Sequence, residues 1–222
     1  MNYLAHGYPH VDRPWFLAGT AVPDWLSVVD RRLRIRSKHA GPHADGSGSP
    51  TSELAAGILQ HLADDDWFHR TPAFARVSDL LTLRFRAALP QDEGFRPALL
   101  GHIVTEIVLD GVLVERMPGV LDRYYAALAR VDPREVEAAV ARVAGRPAPG
   151  VAWFVQVFLR ERFLADYGDA RRLWRRLNQV MQRVKLEPLP VGLIADLEYA
   201  QGLVAANTEG LLAGYAGQAS SG

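Results

Sequence analysis

The 222-residue sequence predicts an all-α protein, a single compact helical domain, on three observations. Apolar residues recur at helical spacing in one segment after another. No run shows the sustained alternation of a half-buried strand. Proline and glycine fall at intervals that suit helices joined by short connections. With 49% hydrophobic and 23% charged residues, the chain has the balance of a folded domain with a well-formed core.

A first helix is expected over residues 16–29, where Leu17, Ala21, Trp25 and Val28 recur at helical spacing. Residues 37–52, rich in Gly, Ser, Pro and His, read as a loop, with Ser52 capping a helix over 54–68. Thr71-Pro72 opens the next, since a proline suits the first turn, and residues 76–89 read as another amphipathic helix. Pro97 begins a strongly apolar helix to about Val114, ended by Met117-Pro118-Gly119. Asp132-Pro133 forms an N-cap and first turn for a helix to Ala144. Two longer helices, 153–166 and 170–184, precede a last one from Val191. One domain over 1–215 and a flexible tail over 216–222 complete the reading.

Composition narrows the chemistry. Without cysteine there is no disulfide and no thiolate site, so a metal must rest on imidazole and carboxylate. The 25 basic residues balance the 25 acidic ones, which argues against holding nucleic acid by bulk charge. The N-terminus has no signal-peptide pattern and no stretch reaches about 18 uncharged apolar residues, so a cytoplasmic protein without a membrane span is expected. No G-x-S-x-G elbow and no glycine-rich phosphate loop is present. Two segments are strongly basic: residues 31–38, and the helix bearing Arg171, Arg172, Arg175, Arg176, Arg183 and Lys185. Each is either a solvated face or a docking patch for an acidic partner. His39 and His43 read as surface residues or as part of a lid.

Two ladders of metal-capable residues stand out. His61, Asp65 and His69 occupy i, i+4 and i+8 along one helix edge, and His102, Glu106 and Asp110 repeat the spacing on a second helix. The second ladder lies in aliphatic sequence, where an uncompensated acid is costly. Two compensators fit, a bound metal or a satisfied polar network, and the joint occurrence of two ladders favours the metal. Asp24 also lies in an apolar segment and needs a partner; His6 is held in a short N-terminal stretch with Tyr3 and Leu4. Asp64 and Asp66 flank Asp65 and are expected to be solvated or, like Asp110, to back the ligands.

These residues resemble the acyl carrier protein phosphodiesterase family, helical relatives of the HD-domain phosphohydrolases. The matching segments are Met1-Asn2-Tyr3-Leu4-Ala5-His6, Leu17-Ala18-Gly19 to Pro23-Asp24, and Gly57-Ile58 with His61-x-x-x-Asp65-x-x-x-His69-x-x-Pro72. The His102–Asp110 helix, residues 162–169 and residues 177–183 complete the likeness, in family order over most of the chain. The resemblance implies an HD-domain-like helical bundle and a divalent metal, typically manganese. It also implies hydrolysis of the phosphodiester joining phosphopantetheine to acyl carrier protein, with Arg171, Arg172, Arg175 and Arg176 docking that acidic partner. His6, Asp24, His61, Asp65 and His69 carry over as ligands, with Asp24 and Asp65 in catalytic roles; His102 and Glu106 occupy the place of an acidic family helix. The departures are Leu62 for an arginine, His69 for an aspartate and His102 for an acid, and this nitrogen-rich set shifts the expected metal toward zinc or iron. Alternative readings are a hydrolase in the manner of zinc-dependent phospholipase C or related nucleases, another phosphatase, and a non-catalytic helical binding protein.

Overall fold

The computed structural model describes residues 1–89 and 96–215, and among these the chain is helical with no strand. The helices are α1 (Tyr3–Gly7), α2 (Pro14–Val29), α3 (Ser37–Ala40), α4 (Pro50–His69), α5 (Pro72–Ala88) and α6 (Arg96–Arg116). They continue with α7 (Val120–Leu128), α8 (Pro133–Ala144), α9 (Val151–Glu161), α10 (Ala170–Arg183) and α11 (Ile194–Leu211). The all-α class predicted from periodicity is the observed one. The expected tail, 216–222, lies outside the described residues.

Local chemistry sets the boundaries. The α4 start is moved upstream of the expected Ser52 cap: the Ser49 side chain accepts from the Ser52 N–H, and Pro50 takes the first helical position. The expected loop before it holds α3 and a 3-10 turn at Gly41–His43. Asp132 caps α8 by accepting from the Arg134 and Glu135 N–H groups, and Gly145 closes it in the left-handed conformation, as the sequence indicates. The helix expected over 153–166 is instead broken. α9 stops at Glu161, Arg162 takes a φ of 45°, and a 3-10 turn follows at Phe163–Asp166. The Arg162 guanidinium packs over the Tyr125 ring, which holds that unusual backbone in place. Helix α7 was not expected at all, being short and lacking a side-chain cap.

The helices gather into two compact units. One, here the α6 unit, comprises Met1, Trp67–Pro118 and Leu164–Gly214. The other, the α2 unit, comprises Asn2–Asp66, Gly119–Phe163 and, of the described residues beyond these, Tyr215. In the α6 unit, α6 packs against α5 and α11. Leu100, Val104, Val108 and Leu109 of α6 and Phe74, Val77, Leu81 and Phe85 of α5 are buried, as are Leu197, Ala200 and Val204 of α11. By length and composition α6 is apolar enough to cross a membrane, but here those α6 residues lie in the core. Gly101 permits the close approach of α5: a Cβ there would lie 2.1 Å from Thr82 Oγ1 and 2.6 Å from the Ser78 carbonyl.

In the α2 unit, Phe158 of α9 centres an aromatic cluster with Tyr3, Trp25 and Tyr125, at ring separations of 4.9, 5.7 and 5.4 Å. Helices α2 and α4 touch backbone to backbone. A Cβ on Gly57 would lie 2.0 Å from the Phe16 carbonyl, and one on Gly19 would lie 2.2 Å from the Leu54 carbonyl. Neither obstacle is a flexible side-chain end, so the helices themselves would have to separate. Gly57→Ala should therefore destabilise the protein by roughly 2–4 kcal/mol, the range of severe core overpacking. Gly202, an exposed α11 position with open space around its missing Cβ, serves as the contrast. Gly202→Ala should stabilise by roughly 0.5–1 kcal/mol through helix propensity. Urea midpoints of the two variants test both; equal effects would contradict the close-approach assignment.

Candidate metal centres

The structure brings the predicted ligands together in two groups, each able to hold a metal ion: His6, His61 and Asp65 in the α2 unit, and His69, His102 and Glu106 in the α6 unit. In each group, the donor atoms lie within 4.8 Å of one another. Each sequence ladder thus loses its third rung. His69 joins the helix α6 pair rather than His61 and Asp65. Asp110 is fully buried on α6 and Asp24 half-buried on α2, both outside these groups.

The first centre is built on the α2–α4 contact. Gly57 lies one helical turn before His61, and Gly19 directly precedes Thr20, so the close approach carries the His61 ring to the Thr20 carbonyl. Nδ1 donates to that oxygen at 2.8 Å. A carbonyl can only accept, so Nδ1 bears a proton, and in the neutral ring Nε2 carries the lone pair. Pro23, inside α2, supplies no N–H to the carbonyl one turn upstream, which loosens the helix ladder in this same region.

His6 arrives from α1 and is fully buried. A Cβ on the following Gly7 would lie 2.5 Å from the Tyr124 ring and 2.6 Å from Leu17, so α1 lies flat on this wall. His6 stacks on His61 at 4.0 Å between centroids and 24° between planes. Its Nδ1 faces Asp64 Oδ2 at 3.2 Å. Asp64 is only 4% exposed and accepts on every side: Gln60 Nε2 donates to Oδ1 at 2.7 Å, and the Tyr215 hydroxyl shares its proton between Oδ2 and the Ala5 carbonyl, each 3.1 Å away. This is a carboxylate holding a histidine tautomer from behind, the usual support of a metal-binding imidazole.

Both Nε2 atoms then meet the same carboxylate. His6 Nε2 is 3.2 Å from Asp65 Oδ1 and His61 Nε2 is 3.4 Å from Asp65 Oδ2. With each Nδ1 committed to an acceptor, two neutral imidazoles would point their lone pairs at an anion. Positive charge must sit among them, supplied either by protons or by a cation. The spacing suits a cation: two donors each about 2.1 Å from one ion lie about 3.0–3.4 Å apart. The imidazoles are buried, whereas the Asp65 side chain is 31% exposed, so the centre opens on that side.

Burial opposes ionisation of Asp65, but the His6 and His61 rings set against its two oxygens outweigh it and hold the carboxyl well below the usual carboxylate range. Glu106 behaves likewise. Burial opposes its charge; the Met1 ammonium, then His102 and His69, lower its pKa well below the ordinary value.

In the second centre, Glu106 Oε1 lies 2.7 Å from His69 Nε2, 3.5 Å from His102 Nε2 and 3.0 Å from the Met1 amino nitrogen. His69 is the last residue of α4. Thr71 fixes the turn that follows, donating its hydroxyl to the Phe68 carbonyl and accepting from the Phe74 N–H at the start of α5. Phe74 in turn packs against both imidazoles, each ring 5.0 Å away.

Comparison with protein-family models, curated proteins and solved structures yields no match to the chain.

The residues invisible to sequence reasoning are the supports: Gln60, Tyr215 and the Thr20 carbonyl. Only Gln60 left a trace, at i and i+4 with Asp64 on α4. The basic face of α10 is real in part. Arg171, Arg172 and Arg175 are exposed, while Arg176 is tied to Asp166 at 2.6 Å.

Asp64→Asn should cost about 1–3 kcal/mol, because an amide NH2 would face donors in a buried pocket; thermal unfolding checks this, and an unchanged melting temperature would show that Asp64 bears no such burden. A second expectation concerns acid. Asp65 has a lowered folded pKa, so its stabilisation is complete above the unfolded value of about 3.9 and disappears as pH falls below it. Between pH 5 and pH 3 the metal-free protein should lose stability more steeply than Asp65→Asn, as read from denaturant midpoints.

Proposed function

We propose that the chain is a metal-dependent phosphodiester hydrolase working at the His6–His61–Asp65 centre. The observation that carries this reading is the commitment of both Nδ1 atoms to acceptors, which leaves the two Nε2 atoms converging on one partly exposed carboxylate. His6, His61 and Asp65 would hold the ion; Asp64 and the Thr20 carbonyl would orient the two rings. When bound, a divalent ion supplies Lewis acidity toward a phosphoryl oxygen and a more acidic water. The chain's own part is to present two imidazole Nε2 atoms from rings fixed through Nδ1 and to keep Asp65 ionised. Its exposed edge lies where a water or a phosphate oxygen can enter.

The substrate class rests on the family resemblance: a phosphopantetheine ester of acyl carrier protein. Exposed Arg171, Arg172 and Arg175 on α10 suit an acidic protein, since complementary charge steers such encounters. Two nitrogen ligands with one carboxylate favour zinc or iron over manganese. The missing arginine at Leu62 removes one phosphate contact that the family offers, so another phosphodiester is the second reading.

Protein purified without chelator should hold a transition metal by elemental analysis. Incubated with holo acyl carrier protein and zinc, iron or manganese, it should release phosphopantetheine, seen as a mass loss on the carrier. His61→Ala should lower the rate by roughly 100-fold or more, since even outer-layer losses at metal sites cost about 10–100-fold. Metal bound without release would leave the ion site and remove this substrate. Failure to bind any metal at His61 would end the hydrolase reading.

A further inference from the structure

We infer that His69, His102 and Glu106 form a second metal centre, which takes a zinc-type transition ion and exchanges it readily with solvent. The inference does not depend on hydrolysis, since it concerns a different group of side chains in the α6 unit.

Three features support it. First, two imidazoles present Nε2 to the same oxygen, Glu106 Oε1, at 2.7 and 3.5 Å, with ring centroids 4.7 Å apart. Two nitrogens and one carboxylate match the three-ligand sites of zinc rather than the all-oxygen surroundings that magnesium prefers. Second, the rings are set before any ion arrives. The Thr71 turn fixes His69, the Gly101 contact with α5 fixes the stretch of α6 bearing His102, and Phe74 packs on both imidazoles. Third, the group is accessible: the His69 and His102 side chains are 33% and 43% exposed, against 0% and 4% for His6 and His61.

Exposure and charge together set the exchange behaviour. An incoming cation must compete with the Met1 ammonium for Glu106 Oε1, which weakens binding. Solvent reaches two of the three ligands directly, which speeds departure. The first centre, with its two imidazoles buried, holds and releases its ion more slowly.

The test uses the full-length protein, stripped with chelator and dialysed against zinc. The expected result is two equivalents, removed by a coloured chelator in a fast and a slow phase. His102→Ala and His69→Gln, both at partly exposed positions that spare the core, should each leave one equivalent and abolish the fast phase. His61→Ala should leave one equivalent and abolish the slow phase. Glu106→Gln should weaken the fast-phase site by at least about tenfold, the least expected when a ligand rather than its support is lost. Far-UV circular dichroism confirms that each variant is folded. A wild type that shows no fast phase, or His102→Ala and His69→Gln variants that retain it, would overturn the proposal, whereas loss of the slow phase alone would count against the first centre only. Unchanged zinc affinity in Glu106→Gln would also overturn it, and would mean only an adventitious pair of surface imidazoles.

Discussion

Two glycines set how near α2 and α4 can come, and the buried centre follows from that distance. Were Gly19 or Gly57 larger, the helices would part and the His61 ring would no longer reach the Thr20 carbonyl. That bond does more than fix a side chain. It decides which imidazole nitrogen holds the proton, and so which one faces Asp65. The packing of two backbones thus determines the protonation pattern of a site one turn away. Tyr124 and Leu17 act in the same sense on α1, whose Gly7 lies against them beside His6.

Asp64 shows what such a site demands of its surroundings. A buried carboxylate without partners is expensive, and this one is matched by an imidazole, an amide and a phenol. Each donor comes from a different part of the α2 unit: α1, α4 and Tyr215. The second centre is simpler. Its carboxylate is met by an ammonium and two partly exposed imidazoles, and its order derives from a helix turn and an aromatic ring.

Much of this was legible in the sequence. Helical periodicity gave the class, and caps such as Asp132-Pro133 gave boundaries, because both are local. The i, i+4 spacing found His61 with Asp65 and His102 with Glu106, since these pairs meet within one helix. The division of the ladders was not legible. Whether His69 turns toward Asp65 or toward Glu106 depends on how α4 ends and where α6 lies, which is tertiary information. The break at Arg162 escaped for a similar reason, since nothing in its own propensity forces a left-handed arginine. Tyr215 was hidden by distance, lying 151 residues from the carboxylate it serves. Asp64 illustrates the limit of spacing arguments: it lies beside the ladder, not on it, and yet it is the more deeply buried of the two aspartates.

Charge counting separates the two centres further. In the buried group, a dication would face two carboxylates, Asp65 directly and Asp64 through His6, and the sum is zero. Neutrality is what a site with little water requires, because an unbalanced charge there is not screened. In the exposed group a dication would meet a single carboxylate, Glu106, that is already paired with an ammonium, so the loaded centre would stay positive. Solvent or an anionic ligand can balance that excess at an open surface. His69 and His102, imidazoles where an acid would bring a negative charge, are the residues that leave the excess. Replacing an acid by imidazole keeps a donor atom and removes a negative charge, which makes the loaded centre more electrophilic and leaves it more dependent on an anion to complete it.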